Sequence, residues 1–527
     1  MLKKYILRLE NQTITPLAYI LSVFSIIVIR MILESVVYLD GVIIHPKNFL
    51  LHFMFFYLVL FLFLTFVMNF IVREPIEKTS KLLLIFLPVI WSPPIIDFFY
   101  GKITGTPISR IFYVKGDFEF LVRQFLTFYS GMNGKLPVVG LKTELLFIIV
   151  GMGVVVWIKT QKPWKALLAS VLAYVLIFLC GSVPELLINH KAFFNEFQHR
   201  SYLDIRRNRA AFFAIILFFL LCFWYWRFDS VKLKSILGNI RPFRVTHYLG
   251  MLGFGLYLGF LQYGFPFEMS DVSGWLALIL LIIVVFSLWM SSVFLNDISD
   301  FEADKLSKPY RPLVQGQLSK HDALHIGVAF SLFSLFFAAT LSWTSFALTL
   351  ACLSISMIYS FDPFRLKRLP FLATLSIAFG SLLVLLIGYA SITHGYFVMN
   401  QMRSGKLFAG FPSTISLMIL LCFTLSFTTK DIADYKGDQA TGTWTLPVLL
   451  GERAGKLFTG VLVLLSFCLV PFILGIPLLL PFAVLAGALN FYIITRPVIN
   501  ETHVFIVYYL FMSIVGVFVF MDPSVLL

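Results

Sequence analysis

Apolar stretches long enough to cross a bilayer follow one another along almost the whole chain, and nothing else constrains its fold as strongly. A membrane helix needs ~20 apolar residues to traverse ~30 Å of hydrocarbon. Residues 17–38, 48–71, 82–100, 140–158, 164–188 and 210–226 qualify in the first half, and 246–266, 274–296, 322–340, 343–360, 370–393, 412–430, 455–475, 477–495 and 503–521 in the second. Lipid cannot satisfy exposed backbone polar groups, so apolar stretches of this length read as helices. The sequence therefore predicts an all-α polytopic membrane protein. With 59% hydrophobic and 13% charged residues among 527, soluble enzyme folds and nucleic-acid-binding domains are excluded, because no soluble surface could carry so many apolar side chains. The net charge of +14 points the same way: in loops between spans, Lys and Arg set orientation and meet anionic headgroups. The lipid bilayer is the expected partner, and nucleic acid is not.

Cys180, Cys222, Cys352, Cys422 and Cys468 all fall inside apolar stretches and form no CxxC pair, so they read as packing residues. The opening segment, residues 1–16, is short and basic and lacks a small-residue cleavage site, so no cleavage is expected. A basic connector at 230–247, SVKLKSILGNIRPFRVTH, marks the expected domain boundary. It divides residues 1–230, with six spans and no assigned role, from residues 231–527, with nine.

Basic residues orient the nine-span half. With the connector cytoplasmic, Lys305, Lys308, Arg311, Lys320, Arg365, Lys367, Arg368, Lys430, Lys436, Arg453, Lys456 and Arg496 fall inside, and Arg403 and Lys406 outside. The first half is less consistent, since its longer outside loops carry Arg110, Arg123, Arg200, Arg206, Arg207 and Arg209. A further half-helix near 101–130 or 189–209 would account for that pattern as well as long loops do.

Two acidic clusters carry the chemistry. NDISDFEAD places Asn296, Asp297, Asp300 and Asp304 at the inner end of one span, and KDIADYKGD places Asp431, Asp434 and Asp438 at the inner end of another. Both triplets follow i, i+3, i+7, which on a helix puts the carboxylates within about 60° of one another. Glu302 falls on the opposite side. Six converging carboxylates at a poorly solvating boundary call for cationic neutralisation. Hard oxygen donors without His or Cys suit Mg²⁺, which retains waters and binds through a few carboxylates and substrate phosphate oxygens. One such cluster alone reads equally well as the solvation of a helix end; two matched triplets on the same inferred side do not read that way. Bases accompany the acids: Lys308 and Arg311 in KPYRPLVQG, Arg365 and Lys367 in YSFDPFRLKR, and Lys430 and Lys436 beside the second cluster. Arg offers a planar fork and Lys a mobile point charge, so with metal they suit a diphosphate whose apolar tail enters the bilayer.

These motifs resemble those of the UbiA-type intramembrane prenyltransferases. NDISDFEAD matches the family's NDxxDxxxD, and DIADYKGD followed by GTWTLPVLLG matches DxxDxxGD with a following TLPxxLG. KPYRPLVQGQLS, YSFDPFRLKR and IRPFR at 240–244 resemble its connecting segments. The resemblance covers about residues 238–527 and leaves 1–230 outside it. It implies a nine-helix UbiA-like bundle preceded by about six further transmembrane helices, with a central cavity capped by the Asp-rich segments on the cytoplasmic side. It further implies that Asn296, Asp297, Asp300, Asp304, Asp431, Asp434 and Asp438 hold Mg²⁺ and act in catalysis. Substrate contacts would come from Asn296, Arg311, Tyr359, Arg365, Lys367 and Lys430. The substrates implied are a prenyl diphosphate and a lipophilic acceptor, with an aromatic or quinone precursor favoured and a glyceryl-phosphate ether lipid next.

Other readings keep part of this site. Cyclisation of the prenyl diphosphate would use the same residues; phosphoribosyl transfer to a prenyl phosphate fits less well with an intact DxxDxxGD. A transporter or scaffold role in the first six spans, including a protein partner there, is a reading of another class. His321 and His325, four apart, read as an ordinary helix start sooner than a metal pair. Arg30 and Glu34, also four apart, form an intramembrane ion pair that suits helix packing at least as well as function. Asp97 and Glu185 follow prolines and suggest broken helices.

Overall fold

A computed structural model describes residues 6, 8, 10–37, 49–105, 118–128, 139–188, 203, 205–264, 272–399, 408 and 410–526. Arg110, Arg200, Arg403 and Lys406, which entered the orientation argument, lie outside these residues. Among the described residues fourteen helical stretches are long and apolar enough to cross a membrane. The chain is an all-α polytopic membrane protein. It divides by internal contacts into two compact units, Met1–Leu233 with Met269–Ile279, and Lys234–Glu268 with Leu280–Leu527.

In the first unit, α1 (Pro16–Val37), α2 (Phe49–Val72), α3 (Ile76–Phe86), α4 (Ser92–Thr104), α5 (Phe118–Leu126), α6 (Val139–Thr160), α7 (Pro163–Ile188) and α8 (Ile205–Phe228) follow in order, and α9 (Ser230–Gly238) runs across the division. The span expected at 82–100 is a broken one: α3 and α4 are separated by a 3-10 turn, Leu87–Trp91, that begins at a Leu-Pro step. Pro88 cannot donate to the helical ladder, which is why the turn tightens there. The nine-residue α5 supplies the short helix anticipated near 101–130, and Arg206, Arg207 and Arg209 belong to α8 and not to a loop. Trp224 donates to Ser80 Oγ at 2.9 Å and stacks on Tyr19 at 5.1 Å, tying α1, α3 and α8. Arg30 and Glu34 do pair, at 2.6 Å, and Arg30 also donates to the Ile90 carbonyl in the 3-10 turn.

The second unit contains α10 (Pro242–Tyr263), α11 (Val272–Ser299, whose first turns group with the other unit), α12 (Phe301–Ser307), α13 (Lys320–Leu341), α14 (Trp343–Ser360), α15 (Leu372–Met399), α16 (Ser413–Ser426), α17 (Lys430–Thr441), α18 (Leu446–Leu450), α19 (Glu452–Leu474), α20 (Leu480–Thr495) and α21 (Glu501–Met521). The span expected at 246–266 is the 22-residue α10, which Arg244, His247 and several glycines make too polar to join the fourteen. Those glycines serve packing. A Cβ at Gly255 or Gly388 would collide with the backbone of Leu385 or Leu252 respectively, so α10 and α15 meet backbone to backbone. At α13, Ser319 and Asp322 form a capping box, and His321 and His325 contact only edge to face at 5.3 Å. This is an ordinary helix start.

Candidate active site

The two acidic segments meet because α12 and α17 pack side by side. Gly437, in the second acidic motif, makes that possible: a Cβ there would overlap the Ala303 carbonyl and lie 2.6 Å from Ser307 Oγ. Its N–H donates to Ser307 Oγ at 2.9 Å, and that hydroxyl donates to the Asp434 carbonyl at 3.2 Å. The second triplet does lie on one helix, α17, which follows α16 after a 3-10 turn at Phe427–Thr429; the expected span 412–430 is therefore kinked before its acids begin. The first triplet departs from expectation. α11 ends at Ser299, Asp300 caps α12 with φ −95° and ψ 3°, and Asp304 lies in the new helix. Backbone bonds from Asp300 N–H to Asn296 O at 2.9 Å and Asp304 N–H to Asp300 O at 2.8 Å keep the turns in step.

The acids fall into two groups by their partners. Asp297 is buried and fully engaged, accepting from Asn239 at 2.8 Å, Arg241 at 2.5 Å and Arg311 at 2.9 Å. Arg311 also pairs with Asp304, and Asp431 lies 3.1 Å from Lys430. Asp300, Asp434 and Asp438 are more accessible. Asp300 accepts from Lys367 at 2.5 Å and from the Asn296 amide at 2.7 Å, and Asp434 pairs with Lys308 at 2.5 Å. Asp438 has no ion-pair partner among the described residues. Glu302, exposed and bonded to Lys305 at 2.8 Å, stays outside the site as its helical phase predicts.

Burial, with Asp300 and Asp297 nearby, lifts the Asp304 carboxyl to about 7 against the pull of Arg311. Burial pulls the Arg311 guanidinium down, and the surrounding aspartates more than reverse it. The Lys367 ammonium is lowered by burial despite Asp300, and Arg241 by burial despite Asp297. Burial is the larger cause, so the raised carboxyl marks a poorly solvated site in which Arg311 does not offset the cost of holding the charge. The donor set, carboxylates and one carboxamide, suits a hard divalent cation. Among the described residues no three His, Cys, Asp or Glu side chains are grouped closely enough to hold a metal ion in this arrangement, in which Lys308, Arg311, Lys367 and Lys430 pair with Asp434, Asp304, Asp300 and Asp431.

Below the acids lies a cavity of about 260 Å³. One part of its lining is polar, with Arg241, Arg244, Asn296, Tyr359, Lys430 and Glu501; most of the rest is apolar, including Val285, Leu288, Val293, Ile355, Val384, Val463 and Phe467. Lys430 donates to Tyr359 OH at 2.8 Å, and Ser360 donates to Asn296 at 3.1 Å. Of the six substrate contacts expected from sequence, Asn296, Tyr359 and Lys430 line the cavity. Arg311, Arg365 and Lys367 instead lie among the acids, Arg365 donating to the Ser299 carbonyl at 3.1 Å and Lys367 to Ser299 Oγ. Sequence reasoning missed Arg241 and Arg244 as site residues, although both stand in the IRPFR segment. Arg241 and Arg365 share a signal that only the backbone reveals: left-handed φ values of 55° and 41°, uncommon for non-glycine residues and frequent at functional positions. Arg244 pairs with Glu501 at 3.1 Å at the cavity's edge, and His247 faces into it, 3.0 Å from both Tyr508 OH and Ser381 Oγ.

A helical membrane bundle with paired acidic segments over an amphipathic cavity defines the class of the second unit. Residues 257–515 match the UbiA prenyltransferase family, and this part of the chain is a member of it. It is 26% identical over 184 residues to digeranylgeranylglyceryl phosphate synthase of Pyrococcus horikoshii and 30% over 193 residues to that of Thermococcus kodakarensis, matching 35% and 36% of this chain. It is also 30% identical over 180 residues to the chloroplastic 2-acyl-4-prenylphloroglucinol 6-prenyltransferase of Humulus lupulus, 33% of this chain and 41% of that protein. The chain spans 60% and 64% of the two archaeal relatives' lengths. A solved UbiA homolog from Archaeoglobus fulgidus, bound to GPP and Mg²⁺, aligns at 19% identity with 55% of this chain and 99% of its own, with a TM-score of 0.39.

Proposed function

We propose that the second unit transfers an isoprenyl group from a prenyl diphosphate to a lipophilic acceptor, with Mg²⁺. The observation that carries this reading is the cavity itself: a cationic end, where Asn296 and Lys430 adjoin the acidic segments, continuous with an apolar chamber suits a diphosphate head and a hydrocarbon tail. Lys430, Arg241 and Arg244 line the polar end and bind the diphosphate oxygens, while Tyr359 orients Lys430. Asn296, Asp300, Asp434 and Asp438 would hold the metal, and Asp297, Asp304 and Asp431 anchor Arg241, Arg311 and Lys430. Lewis-acid neutralisation of the departing diphosphate is the chemistry Mg²⁺ supplies when bound. The fixed cations stabilise the same developing charge, and the apolar wall keeps water from the allylic centre.

An aromatic or quinone precursor is the favoured acceptor and a glyceryl-phosphate ether lipid the next; the Humulus lupulus relative is named for a phloroglucinol that it prenylates and the Pyrococcus horikoshii relative for the digeranylgeranylglyceryl phosphate that it makes. The excess of Lys and Arg on one side of the spans supports a cytoplasmic acid-rich face. Residues 1–230 are a separate membrane domain whose contribution is a protein partner or regulation.

The test is Mg²⁺-dependent diphosphate release from geranyl and geranylgeranyl diphosphate by full-length protein in membranes, with and without lipid-soluble acceptors. Release that requires acceptor and disappears in Asp300→Ala plus Asp434→Ala supports transfer. Acceptor-independent release with a cyclic product, or no release at all, rejects it.

A further inference from the structure

Asn490 stands in α20, within the apolar segment LPFAVLAGALNFYIIT. It lines the cavity and is 1% exposed, yet among the described residues neither its amide nitrogen nor its amide oxygen has a hydrogen-bond partner. The same cavity wall carries hydrocarbon side chains, Val463, Phe467 and Val504, and Ile494 one turn further along α20. A buried amide left unsatisfied on both sides is costly in water-poor surroundings, and native structures rarely keep one unless something fills it. α20 ends at Thr495, which sets Asn490 about 7.5 Å down its axis at 1.5 Å per residue. His247 lies equally far from the start of α10, so both groups stand below Arg241 and Arg244.

The chemistry of the missing partner follows from what a primary amide offers, two donors and an acceptor side by side. A prenyl chain provides neither donor nor acceptor. A phosphate provides acceptors only, and the charges that suit it, Arg241, Arg244 and Lys430, line the polar end of the cavity. A neutral hydroxyl matches the amide on both counts, donating O–H to the Asn490 oxygen while accepting from its N–H.

We propose that Asn490 is the residue that recognises the acceptor, binding a neutral hydroxyl of a ring or alcohol in the apolar part of the cavity. The proposal rests on the prenyl-transfer reading of this cavity. It narrows the acceptor to one that presents an uncharged hydroxyl at mid-depth, and it makes Asn490 a positioning residue with no covalent part in the reaction.

The test is binding of 1,4-naphthohydroquinone and of its dimethyl ether, under reducing conditions, to full-length wild type and Asn490→Leu. Trp289 lines the same cavity, so quenching of tryptophan fluorescence lost in Trp289→Phe reports binding there. The wild type should prefer the hydroquinone about tenfold or more, and Asn490→Leu should lose that preference while keeping affinity for the ether. Asn490→Gln should retain part of it. Leucine keeps asparagine's branched shape and number of side-chain heavy atoms and removes an unsatisfied amide, so the thermal midpoint of Asn490→Leu should stay level or rise; a marked fall would assign Asn490 a structural role instead. A preference unchanged in Asn490→Leu, or absent from the wild type, overturns the proposal. Mg²⁺-dependent binding of geranylgeranyl diphosphate, measured in the same samples, separates the two ideas. Its loss in the wild type defeats the prenyl-transfer reading, whereas its persistence beside an absent hydroxyl preference defeats only the assignment to Asn490.

Discussion

Both units bury ionisable side chains among apolar helices, but they do different things with them. In the first unit the charges close on one another: Arg30 on Glu34 at 2.6 Å, Lys159 on Glu74 at 3.0 Å, and Asp97 accepting from the Gly140 N–H at 2.8 Å. The pocket of about 100 Å³ in that unit is lined by residues such as Leu60, Phe61, Leu83 and Phe147, with no charged side chain on its wall among the described residues. In the second unit seven acids and amides from two segments converge on several bases beside a larger, amphipathic cavity. Buried charge by itself therefore points only to packing. Acids and bases gathered where a cavity changes from polar to apolar point to a ligand.

The sharpest way to break that contrast is to remove charge from each unit in turn. Asp300→Ala with Asp434→Ala should lower Mg²⁺-dependent diphosphate release by about 10³-fold, measured as initial rate per folded protein, since each stabilising group at such a site is worth ~10²-fold or more. Arg30→Ala should leave that rate per folded molecule intact. Equal loss from both would mean that the first unit shares in the chemistry.

Stability should respond in the opposite order. Arg30→Ala leaves Glu34 buried without its partner and near Glu144, and should cost about 3–5 kcal/mol in equilibrium denaturation in micelles. Arg30→Met combined with Glu34→Leu should restore most of it, because an apolar pair of similar volume carries no desolvation penalty. Gly437→Ala is the next smaller effect: its methyl group must push α17 from α12, costing about 1–3 kcal/mol and lowering diphosphate release through Asp434 and Asp438. Smallest is Glu501→Gln. The Arg244–Glu501 pair is 27% and 38% exposed, so its loss should change stability by only about 0.2–1 kcal/mol, and less at high salt.

Local spacing made much of this protein legible. The spans, the two acidic triplets and their bases stand close enough in sequence for hydropathy and helical phase to reveal them, and the exclusion of Glu302 from the site followed from phase alone. Misreadings arose where a helix stops being regular. Leu87–Trp91 and Phe427–Thr429 tighten into 3-10 turns, and Asp300 interrupts the helix that was to carry its triplet, all within apolar or acidic patterns that do not change at the break.

What only the tertiary structure decided is which charge meets which. Asp297 is held by Arg241 from 56 positions before it and by Arg311 from 14 after, while Lys367 reaches back 67 positions to Asp300. No period in the sequence encodes such pairs, because they depend on how helices pack and not on how residues repeat. The same holds for Asn490. In sequence it is a lone amide in an apolar run, indistinguishable from one bonded to a neighbouring helix. Packing alone left it on a cavity wall with both its hydrogen-bonding groups unmet among the described residues, since whether a buried polar group is satisfied is set by what lies across from it.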